Sequence, residues 1–374
     1  MEVDPISILP KSNNKSTVSA EAASSTMSQS SKLIFVTGAS GFLASHIIQE
    51  LITQGYRVRA KNKVGPLKAL YESVPVEIVE IADIAHDQFE DALTGVDAVI
   101  HTASPLPGRE DIESMFKSAV DGSLNVLRQA EKVGVKKFIV TSSIVTALFD
   151  PSAKGGAYRL NHWLPFTKEN ATPENGNMAI YAIAKKYAEL AVWEWADAHP
   201  HVDVTTINPP YFYGPFAPLH LPIAPGDFNA LSTGLMIYSL LSPSGNFPTG
   251  AGYADVRDIA RAHVGALRPS TVEGRKRIIF SSPHELHFKE VLDAIRKARP
   301  EVEGRLIKAP VPDYPFYKFD VDFSLIEKVT GLKAEDFHPV IETLLDTVNA
   351  ILDLEKSWVD SGFVMPEVIP KMDS

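Results

Sequence analysis

Tyr181 and Lys185 stand four residues apart in a stretch, Met178 to Ala198, where Ile180, Ala184, Tyr187, Ala191 and Trp195 recur at helical spacing. On a helix that spacing turns both side chains to one face. An ammonium beside a phenol favours the phenolate, draws the phenol down from its reference of about 10, and makes it a usable acid and base near neutral pH. Tyr314 and Lys318 repeat the spacing, but Pro315 and the alternation of Phe319, Val321 and Phe323 with Asp320 and Asp322 argue against a continuous helix there. Ser143 follows an apolar run, Lys137 to Ser142, that reads as a strand; its hydroxyl would lie at the sheet edge where open parallel sheets bind ligands. The alternative is that Ser142 and Ser143 satisfy local backbone.

A second chemical feature opens the chain's regular part. Leu33-Ile34-Phe35-Val36 runs into Thr37-Gly38, and an amphipathic stretch follows from Phe42 to Thr53. Gly38, Ser40, Gly41, Phe42 and Leu43 therefore occupy a strand-to-helix turn, where small residues let backbone amides approach a pyrophosphate at the helix N-terminus. After the second strand the chain reads Val58-Arg59-Ala60-Lys61-Asn62-Lys63, with no carboxylate for a ribose 2'-hydroxyl. Lys63 is the candidate partner of a 2'-phosphate, so NADP is expected, with NAD as the alternative. Asp83 and Ile84, after the third strand, would flank the adenine; Asp83 could equally cap a helix.

The elements that must position these groups alternate. Strands are expected at Leu33 to Val36, Tyr56 to Lys61, Val76 to Glu80, Asp97 to His101, Lys137 to Ser142, Asp203 to Asn208 and Arg277 to Phe280. Helices fall at Phe42 to Thr53, Ile112 to Lys132, Met178 to Ala198, Asp255 to Leu267, Phe288 to Arg299 and Pro339 to Trp358. Repeated strand-helix units imply an α/β, Rossmann-type doubly wound parallel sheet, with a smaller C-terminal substrate lobe over its carboxyl edge. The expected division is a mobile tail over 1–31, a nucleotide-binding domain over 32–210 rejoined by 251–282, and a lobe from 211–250 and 283–374.

Composition narrows the partners. With 374 residues, 45% hydrophobic and 22% charged, the chain can bury a large core. A net charge of -10 argues against nucleic acid. The absence of cysteine removes disulfides and thiolate metal sites. No apolar run approaches the length of a membrane span, and the serine-rich tail lacks the pattern of an export or import signal, so a cytoplasmic enzyme is expected. The histidine pairs His199/His201 and His284/His287 lack a third ligand at a recognised spacing, and no metal is expected. Trp163, Phe166, Trp193, Tyr211, Phe212 and Tyr213 are candidates for an aromatic pocket wall, whereas Trp195 continues the helix's apolar stripe into the core.

Taken together, Thr37-Gly38-Ala39-Ser40-Gly41-Phe42, Val99-Ile100-His101-Thr102-Ala103-Ser104-Pro105, Thr141-Ser142-Ser143, Tyr181-Ala182-Ile183-Ala184-Lys185, Asn208-Pro209-Pro210 and Tyr253-Ala254-Asp255-Val256-Arg257-Asp258-Ile259-Ala260 form an ordered set. It resembles the extended short-chain dehydrogenase/reductases, specifically the dihydroflavonol-4-reductase-like branch that includes fungal NADPH-dependent methylglyoxal and ketone reductases. The resemblance implies a catalytic triad of Ser143, Tyr181 and Lys185. It implies that Thr102, Ala103 and Ser104 line the cofactor, and that Pro209, Pro210 and Tyr211 border the nicotinamide. The implied reaction is hydride transfer to an aldehyde or ketone while Tyr181 protonates the oxygen, with a small-molecule carbonyl as substrate. Lys185 would also hold the nicotinamide ribose.

This chain departs from the pattern at Asp121, where many relatives carry asparagine, and at Lys63, where relatives often carry arginine with its planar fork. Ser143 is followed by Ile144-Val145-Thr146-Ala147 rather than the Val-Tyr-Gly frequent in sugar-nucleotide epimerases. An epimerase or hydroxysteroid dehydrogenase using the same groups, and a cofactor-sensing regulator without chemistry, are the competing readings. Retention of both Tyr181 and Lys185 argues against the last.

Overall fold

The computed structural model describes residues 32–62, 66–104, 111–147, 158–248, 252–312 and 319–370. The expected 1–31 tail, Lys63, Pro105, Tyr314 and Lys318 lie outside them. Seven strands, β1 (Leu33–Thr37), β2 (Arg57–Asn62), β3 (Val76–Glu80), β4 (Ala98–His101), β5 (Lys137–Thr141), β6 (Asp203–Asn208) and β9 (Lys276–Ile279), form one sheet in the order β3-β2-β1-β4-β5-β6-β9. Every pairing in it is parallel.

Strand direction and alternation explain the sequence pattern. Parallel strands covered on both faces carry continuous apolar runs, and β1 is buried at every position. Ile34 and Val36 point to one face, where Ile47, Ile48 and Leu51 of helix α1 (Phe42–Thr53) cover them with Ile259 and Ala262. Leu33 and Phe35 point to the other, against Val126 and Leu127 of helix α2 (Ile112–Lys132) and Val192 and Trp195 of helix α3 (Gly176–Ala198). Burying a side chain such as Phe35 or Phe138 contributes about 1.5–3 kcal/mol. Asp111 starts α2 by accepting the Ser114 amide at 2.9 Å.

Sheet order reverses between β1 and β4, so the crevice beyond their carboxyl ends is the switch point where such sheets take ligands. Helix α4 (Val256–Gly265) returns to the sheet after strand β8 (Tyr253–Asp255). Tyr211–Tyr213 forms strand β7, paired in parallel with β8. The sequence pattern stops the strand at Pro209-Pro210 and does not reveal this two-stranded element, because three residues carry no periodicity. A separate core joins Phe228, Leu235 and Tyr238 to helices α5 (Phe288–Ala298) and α7 (Val340–Asp360) through Val291, Ile295, Leu344, Val348 and Trp358. Between these two helices, Phe319, Val321 and helix α6 (Phe323–Thr330) pack instead onto the sheet core.

Candidate active site

The glycine turn is built for close approach. Gly38 follows β1 at φ +73, and a Cβ there would stand 2.6 Å from Thr102 Oγ1 and 3.0 Å from the Ala103 amide nitrogen. Gly41 caps α1 without any side chain to occupy the amides of its first turn. Both features fit a diphosphate laid on the helix N-terminus. Ser40 and Gly41 are exposed at the rim, while Phe42 and Leu43 are buried, with Phe42 stacked on Phe212 at 5.9 Å. Gly38→Ala is expected to lower stability by about 1–3 kcal/mol from left-handed backbone strain alone. A thermal melt with and without NADPH should show the loss of stability together with a weakened cofactor shift.

The second wall of this crevice is pinned to the first by Thr37. Its hydroxyl accepts the amides of Thr102 (3.1 Å) and Ala103 (3.2 Å), and Thr102 Oγ1 donates to the Thr37 carbonyl at 2.6 Å. Buried His101 lies 2.8 Å from the same hydroxyl and 3.3 Å from Ser123 Oγ. Burial, with the Lys185 and Lys61 charges adding to it, pushes His101 down to about 3, so its ring is neutral. Because Ser123 donates to the Ala119 carbonyl, all groups are satisfied when His101 accepts at Nδ1 and donates from Nε2.

On the far side of the nucleotide crevice, Asp83 is exposed and its carboxylate holds a local turn, accepting the Ala85 amide at 2.9 Å and meeting His86 at 2.8 Å. Ile84 is half-buried and its carbonyl takes the Asn125 amide at 2.9 Å. Lys61, not singled out from the sequence, is buried near the end of β2 with its charge felt at His101.

Ser143, Tyr181 and Lys185 converge at the carboxyl edge of β5. The Ser143 hydroxyl, which accepts the Val145 amide at 3.4 Å, lies close enough to Tyr181 to favour its phenolate, and Tyr211 lies close enough to oppose it electrostatically. Lys185 Nζ donates to the Thr141 carbonyl at 3.1 Å and Ser104 Oγ at 3.3 Å, joining the triad to the wall of the glycine turn. Pro209 and Pro210 are buried, and the Pro209 carbonyl accepts the Ile144 amide at 2.9 Å.

The electrostatics differ from the expected phenol lowered by its lysine. Burial, opposed by Ser143 and reinforced by Tyr211, pushes Tyr181 up to about 12. Lys185 is itself lowered to about 8 by burial, against the favourable charge of Glu189. The ammonium is aimed at Thr141 and Ser104 rather than the phenol, so desolvation governs Tyr181.

Beneath the triad lies a polar cluster that sequence reading missed. Glu189, one turn beyond Lys185, is buried and accepts six hydrogen bonds. Oε1 takes Arg277 Nε (2.7 Å), Thr206 Oγ1 (3.2 Å) and Trp193 Nε1 (3.3 Å). Oε2 takes Thr146 Oγ1 (2.5 Å), Ser142 Oγ (2.7 Å) and Asn208 Nδ2 (2.7 Å). The continued four-residue spacing from Tyr181 through Lys185 to Glu189 was the available signal. The expected aromatic wall is not assembled: Trp193 is buried on Glu189, Trp163 lies under Arg277 at 3.8 Å, and Phe166 is exposed. Among the described residues, no group of three or more metal-ligating side chains occurs, and no helix is long and apolar enough to cross a membrane.

A six-strand β3-β2-β1-β4-β5-β6 core, a glycine turn at its switch point and a Ser-Tyr-Lys group beside that turn define a dinucleotide-dependent enzyme of the Rossmann class. Residues 34–279 match the model of the NAD dependent epimerase/dehydratase family, and the chain belongs to that family. It is 30% identical to the ketoreductase adrE of Penicillium rubens over 295 residues, covering 75% of this chain and 84% of that one. It is 27% identical to aldehyde reductase 2 of Sporidiobolus salmonicolor over 339 residues, covering 85% and 95%. Among solved structures, the yeast methylglyoxal/isovaleraldehyde reductase Gre2 complexed with NADPH superposes with a TM-score of 0.70 at 26% identity, covering 87% of this chain and 99% of that one.

Proposed function

We propose that this protein reduces an aldehyde or ketone to an alcohol with NADPH, with Tyr181 as the general acid. The observation that carries the reading is the convergence of Ser143 and Tyr181 with a lysine that reaches Ser104 at the glycine-turn wall. When bound, NADPH supplies the hydride. Gly38, Gly41 and the first turn of α1 would hold its diphosphate, Thr102 to Ser104 its inner edge, and Lys63 the charge of its 2'-phosphate. Pro209, Pro210 and Tyr211 would border the nicotinamide, and the separate core of Phe228, Leu235 and Tyr238 with α5 and α7 would back the substrate walls.

In the reaction itself, the Ser143 hydroxyl would hold the carbonyl oxygen against Tyr181, and Tyr181 would transfer its proton as negative charge develops there. A phenol raised to about 12 is fully protonated at neutral pH, which suits an acid. The Lys185 ammonium would orient the cofactor ribose.

The names of the relatives, ketoreductase, aldehyde reductase and methylglyoxal reductase, support the same direction of chemistry. Aldehydes, 2-oxoaldehydes, diketones, flavonoid ketones and ketosteroids should be assayed with NADPH and NADH. Loss of NADPH absorbance with stoichiometric alcohol is expected for at least one carbonyl class. Isomerisation of a sugar nucleotide with no net change in cofactor would refute the reading. Two expectations follow from charge. Lys63→Glu should shift preference from NADPH toward NADH, read as the ratio of kcat/KM values. Lys185 is cationic below about 8 and loses its charge as pH rises through that value, so the reduction rate should fall across the same interval.

A further inference from the structure

Glu189 takes no part in the proposed reaction, yet its place in the fold ties it to two groups that do. Its six donors come from Ser142 at the end of β5, Thr146 in the following turn, Trp193 on α3, Thr206 and Asn208 on β6, and Arg277 on β9. Three of these also grip the peptide that presents Ser143. Ser142 is its neighbour, and the Ser143 carbonyl accepts Asn208 Nδ2 at 3.2 Å and lies 2.9 Å from Thr146 Oγ1, whose single proton goes to Glu189. A buried ion pair is weak evidence for stability, because desolvation offsets its attraction. Such saturation of one carboxylate by donors from four strands and turns is better explained as a device that fixes geometry.

We infer that Glu189 is a positioning residue: its carboxylate locks the backbone that presents Ser143 and sets a negative charge one helical turn from Lys185. The inference rests on the carbonyl-reductase reading for the meaning of Ser143 and Lys185. Around Lys185 the charged and titratable neighbours are Tyr181 and Glu189, each one turn away on its own helix, and His101 at the end of β4; His263 of α4 meets Thr141 Oγ1 at 2.8 Å. Burial holds both histidines neutral at physiological pH, His101 at about 3 and His263 at about 4. Glu189 is therefore the group whose charge favours the ammonium, while Arg277 compensates Glu189 from the opposite side.

The test uses the full-length protein with NADPH and Glu189→Gln, Glu189→Asp and Ser142→Ala. Glu189→Gln should lower kcat by at least about tenfold, since small misplacements of reacting groups cost up to about a hundredfold, with carbonyl KM and NADPH Kd changed less than about threefold. Its alkaline limb should also move to lower pH by about one unit, because the ammonium loses its counter-charge. Glu189→Asp keeps the charge and should retain the wild-type limb while kcat falls. Ser142→Ala removes one tether and no charge, so it should lower kcat alone and remains informative if Glu189→Gln does not fold. A titration of Lys185 by lysine-selective NMR, assigned with Lys185→Met, reads the electrostatic half without any substrate. An unshifted Lys185 titration in Glu189→Gln overturns the inference. So do wild-type kcat in Ser142→Ala and Glu189→Asp together. Wild-type protein that reduces no carbonyl overturns the reading beneath it, and the NMR arm still decides the charge relation.

Discussion

Tyr181→Phe is expected to lower kcat for carbonyl reduction by about a hundredfold to ten-thousandfold, the range associated with a positioned general acid. The ring remains, so its packing with Ile180, Ala184 and the rest of that cluster should survive, and only the hydroxyl beside Ser143 is removed. NADPH affinity should therefore change little. Fluorescence titration of NADPH and steady-state kinetics on the best carbonyl separate the two effects. Turnover at the wild-type rate would remove Tyr181 from the chemistry. Equal loss of NADPH binding would instead make it a cofactor-holding group.

The largest effect on stability is expected at Arg277, which no functional reading of the sequence singles out. Its guanidinium is 1% exposed and donates to Glu189 (2.7 Å), Thr146 (2.9 Å), and the carbonyls of Leu160 (3.0 Å) and His162 (2.5 Å), while lying over the Trp163 ring. Arg277→Met keeps comparable bulk but leaves a buried carboxylate without its cation, a change that typically costs about 3–5 kcal/mol.

The pH dependence identifies the cause. Burial opposes the Glu189 charge, but Arg277 and the hydroxyl donors outweigh it and hold the carboxyl below its usual range. In the wild type that contribution is fully present above the ordinary carboxylate pKa and is lost as pH falls through the lowered value. In Arg277→Met the carboxyl is expected above its ordinary value, so the deficit should be greatest at neutral pH and shrink on acidification. A urea midpoint measured across pH reads this directly. A deficit independent of pH would assign the loss to packing and the Leu160 and His162 contacts.

Much of this molecule is legible from residue order because parallel α/β folding writes itself locally. Strands buried on both faces need unbroken apolar runs, and Leu33–Thr37 and Ala98–His101 show them. The four-residue spacing on α3 turns Tyr181 and Lys185 to one face. Short-range chemistry is readable for the same reason: Gly38 is required where a side chain would strike Thr102. Elements without period escape, as Tyr211–Tyr213 does; it is a strand only because Tyr253–Asp255, far along the chain, runs beside it. Trp193 shows the same limit, since its indole is directed by Glu189 rather than by the apolar stripe.

Residue types and spacing by themselves determined the sheet's alternation, the glycine turn and the pairing of a phenol with an ammonium one helical turn away, because each depends on contacts within a few residues. Only the tertiary structure decided the protonation balance at that site and the carboxylate-guanidinium cluster beneath it. Desolvation depends on everything packed around a group, and the partners Glu189 and Arg277 are separated by 88 residues until β9 is laid beside β6.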